Sequence, residues 1–446
     1  MKTQIKYLGF GLLLLAFPLK AQIIPDTLSL EAVLQMVLEN NHQILNSQLE
    51  RQKLLMQKRE LHSGLLPRVE AYSSLSHYYA IPKMVIPGEI FGLTGKIPVE
   101  LGTRFDWNSG IKYSQLIYDQ SYFTSLKLIS ALLQLHDLNH QQQVEEILYQ
   151  TSILFHLCIT LDHQISVFDS TIGNMERLKQ IVQSQSDNGM ARKADVERVA
   201  IDISKLEIEQ IRMSENYSQQ LNLLKLITGI DPGSFIYPQE AGQHKFNFPW
   251  SAHANIEDRI ELQMLDKQKS ATRLELQIEK QSRLPALAAF GQHYYQGMRD
   301  QFDFLDGGDD RFFQSGLIGI QLQIPLFNGL AKQSRIHLKQ VELKQLDLQR
   351  DHLYKSFQSE YSEALQTYQN ARSTLDMEIQ NLEATGIIYR TNLAGYKQQI
   401  VSLTDLILSE YQHTKSRMAL FGAQFSLIQA ELKLRKITGM LLHPYL

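Results

Sequence analysis

The chain has 446 residues, 44 Lys plus Arg against 47 Asp plus Glu, and a formal net charge of −3. No block of Lys or Arg stands out, which excludes the basic stripe that a nucleic-acid binder needs to neutralise phosphates. One cysteine, Cys158, excludes an intrachain disulfide; it reads as a buried helix residue packed like a small hydrophobe.

The chain opens "MKTQIKYLGFGLLLLAFPLKAQ", with Lys2 and Lys6 ahead of an apolar run from Tyr7 to Phe17. That run is shorter than the ~20 residues that span a bilayer. Residues 1–21 therefore read as a secretory signal peptide cut near Ala21–Gln22, and the mature chain, 22–446, leaves the cytoplasm.

Prolines map the rest. They stand at 67, 82, 87 and 98, at 232, 238 and 249, and at 285, 325 and 444, with none between 98 and 232 or between 325 and 444. A proline inside a helix costs about 3 kcal/mol, so these two deserts are where long helices can form. Four segments read as strands of the ~9–11 residues that a tilted membrane strand needs: 67–79, 110–118, 285–296 and 316–326. In the last, Ile318, Ile320, Leu322 and Ile324 alternate with Gly319, Gln321 and Gln323, one apolar and one polar face. Aromatic residues gather near the strand ends, among them Trp107, Tyr118, Tyr295, Phe312 and Phe327, as at a membrane–water boundary. The stretch 80–109 reads as a long loop, and 300–312 as an aspartate-rich loop whose spacing misses the EF-hand pattern.

Residues 120–186 contain a single glycine, Gly173; as one helix they would extend on the order of 100 Å. His136 and His140 share a face of it, but the spacing lacks the general-base Glu of HExxH and a third ligand, so no metal site is expected. From Val196 to Ile227, and again from Leu420 to Ile437, apolar residues recur at steps of three and four, a heptad-like seam.

The chain is one unit written twice. The Ile-Thr-Gly of "LKLITGI" and of "LRKITGM" lie 210 residues apart, as do Asp195-Val196 and Asp405-Leu406. "LIYDQ" (116–120) and "PLFNG" (325–329) lie 209 apart, and Leu66-Pro67 and Leu284-Pro285 lie 218 apart. Repeat one spans 28–232, a linker 233–252, and repeat two 253–440. Four strands cannot close a barrel, and an open edge inside a bilayer leaves unpaired backbone groups. If the strands cross a membrane, several chains must pool them; three chains supply twelve.

"LSLEAVLQMVLENNHQILNSQ" (28–48), "GIQLQIPLFNG" (319–329), "GMARKADVERVAIDISKLE" and "QIVSLTDLILSEYQHTKSRMAL" together resemble the TolC-like outer-membrane efflux proteins, over about 28–440. The resemblance implies an α+β membrane protein: a trimer with a 12-stranded outer-membrane barrel on a long α-helical coiled-coil barrel. It implies a passive exit duct of a Gram-negative efflux or secretion system, without a catalytic site or cofactor. Its partners would be a periplasmic adaptor, an inner-membrane pump of RND, ABC or MFS type, and outer-membrane lipid. Gly189, Met190 and Ala191, and Ile400, Val401 and Ser402, stand at the two helical tips that would dock the adaptor. Asp405, Asp195 and Tyr396 match the closed inner aperture, although Leu408 and Val401 replace polar residues of the family's usual latch. The competing reading is a periplasmic adaptor or coiled-coil scaffold; two hairpins in tandem without β-rich flanking halves weigh against it. No Walker loop, nucleophile elbow or triad supports an enzyme.

Overall fold

The computed structural model describes residues 27–92, 94–239, 256–304 and 312–441. The expected signal peptide, most of the expected linker and the centre of the aspartate-rich loop lie outside the described residues. In chain order the elements are β1 (Thr27–Leu28), α1 (Leu30–Asn40), α2 (His42–Ser63), β2 (Arg68–His77), β3 (Lys83–Pro87), β4 (Lys96–Glu100), β5 (Phe105–Tyr118), α3 (Gln120–Asp187), α4 (Lys193–Thr228), β6 (Tyr237–Pro238), α5 (Ile260–Gln281), β7 (Ala286–Arg299), β8 (Phe313–Gln323), α6 (Ala331–Lys397) and α7 (Leu403–Ile437). The order helix, strand, strand, long helix, helix occurs twice, and the long helices have 68 and 67 residues.

Both Ile-Thr-Gly triplets are helix terminators. Gly229 and Gly439 each take φ +71°. Behind them Ile230 N–H donates to Lys225 O at 3.0 Å, and Met440 N–H to Arg435 O at 2.8 Å. These are the long bonds of Schellman caps, which only a residue tolerant of left-handed backbone makes without strain. The opening helix is broken in two, because Asn41 leaves helical geometry and its Oδ1 accepts from Gln43 N–H at 2.9 Å and Ile44 N–H at 3.3 Å, capping α2.

Contacts divide the chain into two compact units: Met1–Val37 with Thr151–Lys245 and Leu382–Phe425, and Leu38–Gln150 with Phe246–Asn381 and Ser426–Leu446. Each draws on both repeats. In the first, β1 runs parallel to β6, and Leu28, Val33, Phe155, Cys158, Leu224 and Ile236 form one core. Cys158 is fully buried there, and burial pushes its thiol up to about 12, so it is inert as a nucleophile.

In the second unit an antiparallel sheet runs β2-β5-β7-β8. Helices follow in the matching order: Arg51 Nε meets Asp137 Oδ1 at 2.7 Å between α2 and α3, Lys267 Nζ donates to Gln134 Oε1 at 3.0 Å between α5 and α3, and Lys339 Nζ meets Glu275 Oε2 at 2.7 Å between α6 and α5. Exposed pairs of this kind contribute only about 0–1 kcal/mol each; they fix which helix lies beside which. Strand bounds shift from the sequence expectation: β5 begins at Phe105 and β7 reaches Arg299. The expected loop 80–109 contains a hairpin of β3 and β4, with Pro98 opposite Val85 and Pro87 opposite Lys96. A two-stranded ribbon is all edge, so it tolerates prolines that a central strand would not.

Phe155 has no exposed surface. Phe155→Ala is expected to destabilise the first unit by about 3–4 kcal/mol, read as earlier amide exchange of α1 and the end of α4; a change below about 1 kcal/mol would contradict that core.

Candidate functional site: the sheet and the helical tips

Register sorts the sheet's side chains onto two faces. Ile320 lies beside Ala289, Ile318 beside Gly291, and Gly291 beside Tyr113, which is opposite Val69. With Ala71, Leu75, Ile111, Leu287 and Leu322 these make one apolar face. It is uncovered: Val69, Leu75, Ile111, Ile318, Ile320 and Leu322 are all exposed, Ile318 by 94%. The opposite face is polar. Lys112 is paired with Glu70 and stands 4.3 Å over the Tyr72 ring, Gln292 reaches the Tyr72 hydroxyl, and Gln296 Nε2 donates to Asp106 at 3.1 Å. At the strand ends away from the helices, aromatic rings cluster: Trp107 meets Phe304 and Phe312 edge-on at 5.4 and 5.8 Å, and Phe105 meets Phe302 at 5.8 Å. The outer edges of β2 and β8 carry no further strand among the described residues.

The tips belong to the first unit. Gly189, at φ +76°, turns α3 into α4. Its counterpart 210 residues on is Gln399, at φ +62° between α6 and α7. The two turns touch, with Gln399 Nε2 3.6 Å from Met190 Sδ. Of the six expected docking residues, Met190 and Ile400 project into solvent, 61% and 76% exposed, and Gly189 is exposed too. Ala191 and Val401 are half-buried, Ala191 against the tip core and Val401 against Gly395. Ser402 caps α7: its Oγ accepts from Asp405 N–H at 3.2 Å and donates to Asp405 Oδ2 at 2.6 Å.

Asp195 repeats that geometry on α4. Its carboxylate accepts from the Arg192 backbone N–H at 3.2 Å and from the guanidinium at 3.3 Å. Those Arg192 hydrogen bonds hold its pKa below the usual carboxylate value. Within one chain, then, both aspartates expected at the aperture serve the first turn of their own helix, where negative charge also suits the helix dipole. Tyr396 lies in the tip core with Val182, Val199 and Leu406, and its hydroxyl donates to Gln185 Oε1 at 2.8 Å. Burial, then the Asp195 charge, raises its pKa.

Above the tip the α3–α7 seam is polar. Thr171 and Thr414 hydroxyls are 3.1 Å apart, Asn174 Nδ2 donates to Glu410 Oε1 at 3.4 Å, and Arg417 Nη1 to Ser170 Oγ at 2.7 Å. Burial pushes Glu410 above the usual carboxylate range, partly offset by Tyr389, Asn174 and Arg417. Burial likewise lowers His413, helped by Arg417 and Arg390. Beside the seam a groove of about 690 Å³ lies between α4 and α7 over Phe168 and Met175, with Leu408 and Tyr411 on its wall. Glu410 and Gln399 were not singled out by sequence; the offset of 210 from Gly189 is the signal that locates Gln399. His136 and His140 gather no third ligand: among the described residues no group of three His, Cys, Asp or Glu is placed to hold a metal. His140 Nδ1 instead lies 2.9 Å from Ser47 Oγ. No helix among the described residues is long and apolar enough to cross a membrane.

Two substitutions separate the turns. Gly189→Ala is expected to cost about 1 kcal/mol, and Gln399→Gly to gain up to about as much, because only a residue without Cβ takes φ > 0 freely; tip amide exchange reads both, and equal effects would contradict it. A carboxyl whose folded pKa is raised contributes stability that is present below its unfolded value, about 4.5, and lost as pH rises through the folded value. Glu410→Gln should therefore stabilise the α3–α7 seam by a margin that grows from about pH 4 to about pH 7; a margin that does not change with pH would contradict the burial of this carboxyl.

The comparisons agree with this architecture. Residues 253–440 match the family model described as "Outer membrane efflux protein". A search of curated proteins finds no match. Among solved structures, the outer membrane protein VceC of Vibrio cholerae superposes with TM-score 0.73 at 12% identity, covering 92% of this chain and 96% of its own. The Campylobacter jejuni CmeC outer membrane channel gives 0.75 at 14%, covering 92% and 85%. The open-state Neisseria gonorrhoeae MtrE outer membrane channel gives 0.71 at 13%, covering 92% and 88%. The second repeat thus matches the outer membrane efflux protein family model, and the fold of the chain is that of the solved outer-membrane channels.

Proposed function

We propose that the chain is the passive outer-membrane exit duct of a tripartite efflux or secretion system. The observation that carries this reading is the sheet: four strands, two open edges, one exposed apolar face and one polar face. An apolar face fits lipid and a polar one fits an aqueous lumen. Open edges cannot remain in hydrocarbon, so copies must join them; three copies give twelve strands, the assembly inferred here. The loops at the aromatic end of the strands would face outward and the helices would extend into the periplasm. Relatives named as outer-membrane channels support the location, and the family description supports efflux.

In this reading the tip turns face a periplasmic adaptor, which couples the duct to an inner-membrane pump of RND, ABC or MFS type. Met190 and Ile400 are its contact residues, being apolar, exposed and without a core to fill. Three copies of Asp405, joined by Asp195, line the inner aperture, and Tyr396 holds the tip helices together. Like charges on a narrow axis attract cations. Arg192 neutralises Asp195, which leaves Asp405 as the principal anionic group.

Fractionation tests the reading: the mature chain is expected in the outer membrane, extracted only by detergent, and conducting in planar bilayers. A chain recovered from the soluble periplasm would overturn it. Met190→Glu or Ile400→Glu is expected to leave that location unchanged and abolish export; export at the wild-type rate would remove the docking role. Asp405→Ala is expected to weaken conductance block by di- or trivalent cations at least severalfold, and Asp195→Ala to do less; unchanged block in the Asp405 variant would place the aperture elsewhere.

A further inference from the structure

The repeats differ where a strand passes into its long helix. In repeat one, β5 ends at Tyr118 and α3 begins at Gln120. The residue between them, Asp119, caps α3, its Oδ1 accepting from Ser121 N–H at 2.8 Å. In repeat two, β8 ends at Gln323 and α6 begins at Ala331, so residues 324–330 intervene. Gly329 and Leu330 both take left-handed backbone in that turn, φ +62° and +63°. The turn borders a cavity of about 380 Å³, whose lining it shares with Arg283, Lys332 and Gln333.

Three positions at this cavity depart from repeat one in the same electrostatic direction. The 209-residue offset carries Asp119 to Asn328 and Phe123 to Lys332; the 218-residue offset carries Leu65 to Arg283. One carboxylate is lost and two cations are gained, and no acidic residue is among the described residues that line the cavity. Both cations are held in place. Lys332 Nζ donates to Ser282 O, and Arg283 Nη2 donates to Gln333 Oε1 at 2.7 Å. Apolar side chains complete the lining: Leu326, Phe327 and Leu330 are 92%, 81% and 66% exposed. They continue the bare apolar face, since Leu326 is the next step of the alternation Ile318, Ile320, Leu322, Ile324.

We propose that this cavity binds the phosphate of an anionic diacyl phospholipid, with Arg283 and Lys332 on the phosphate oxygens and Leu326, Phe327 and Leu330 against its acyl chains. The proposal rests on the duct reading, which puts the apolar face in a bilayer; it adds a lipid site to repeat two alone. A guanidinium matches two phosphate oxygens, and an ammonium takes a third. Both groups are at home at the headgroup level. The depth agrees. Counting along the apolar face from Leu326, the first row without an aliphatic side chain is Ser73, Ser109, Tyr295 and Gln314. Gln314 and Leu326 are twelve residues apart. At ~3.3 Å per residue and a ~40° tilt, that is about 30 Å along the membrane normal. Such a span is one hydrocarbon thickness, which sets Arg283 and Lys332 at the opposite headgroup layer, the one facing the periplasm. A free inorganic anion would have no use for three exposed apolar side chains, so a lipid is the occupant the lining fits.

Native mass spectrometry of the mature protein in detergent tests the site, with phosphatidylglycerol, phosphatidylcholine and inorganic phosphate as separate probes. Wild type is expected to retain one phosphatidylglycerol per chain, at least about tenfold more tightly than phosphatidylcholine, and millimolar phosphate should not displace it. Asn328→Asp restores the carboxylate that repeat one already carries as a helix cap, and should weaken phosphatidylglycerol binding at least about fivefold. Arg283→Gln with Lys332→Gln should remove the preference for the anionic lipid. Lys58→Gln with Arg59→Gln, which takes the same charge from α2 outside the cavity, should leave that preference intact. Equal retention of the two lipids by wild type, displacement by phosphate, unchanged binding in Asn328→Asp, or equal loss in the Lys58 and Arg59 variant would overturn the site and leave the duct reading standing. A mature chain that stays soluble without detergent would overturn the duct reading itself.

Discussion

A backbone N–H or C=O left unpaired in hydrocarbon costs several kcal/mol, and a strand edge carries a row of them. Strands β2 and β8 bound a sheet whose apolar face is bare, so one chain on its own has no stable place in either water or lipid. Most of the structure follows from that one constraint. The strands are of bilayer length, 10 to 14 residues, and their polar face carries Glu70, Lys112 and Gln292, which would have no place in a lipid-facing layer. Each strand is continuous with a helix beside it, and the helices keep the order of the strands. A wall four elements wide is laid down twice over, once in β and once in α geometry.

The helical ends obey a different economy. The Schellman caps at Gly229 and Gly439 stop α4 and α7 sharply. The tips, by contrast, are closed by a small core around Tyr396 and Leu406 and by charged or hydroxyl caps, Arg192–Asp195 and Ser402–Asp405. A non-glycine residue in left-handed backbone, Gln399, is a local strain in the turn that ends α6. Just above the tip core the α3–α7 seam is polar and holds the buried carboxyl of Glu410.

Much of this was legible in the sequence. Proline-free stretches located α3 and α6 because a single internal proline would break them, and the 2-residue alternation from Ile318 to Ile324 gave the faces of β8 directly. The Ile-Thr-Gly triplets revealed the repeat because a left-handed cap has a fixed chemical requirement. What was hidden had physical reasons. The β3–β4 hairpin contains Pro87 and Pro98, which argue against a strand unless it is an edge. The start of β5, Phe105 to Ser109, carries Asp106, Asn108 and Ser109, residue types that favour turns and mask its two-residue alternation. Asn41 interrupts a continuous apolar period, and its role as a cap is a local hydrogen-bond choice that periodicity does not record. At the tips, sequence located the turns but not their mechanics: Gln399 does the work of Gly189, and the caps made by Asp195 and Asp405 depend on neighbours that periodicity does not encode. Whether those aspartates also face an axis depends on other copies of the chain.

Electron cryo-microscopy of the mature chain in lipid nanodiscs tests the central claim most directly, because it counts strands in the membrane. A closed ring of twelve strands from three copies, with the Ile318–Leu322 face on lipid and the Lys112–Gln292 face on the lumen, is expected. A single chain with β2 and β8 unpaired, or a sheet packed against protein on its apolar face with no ring at all, would contradict it.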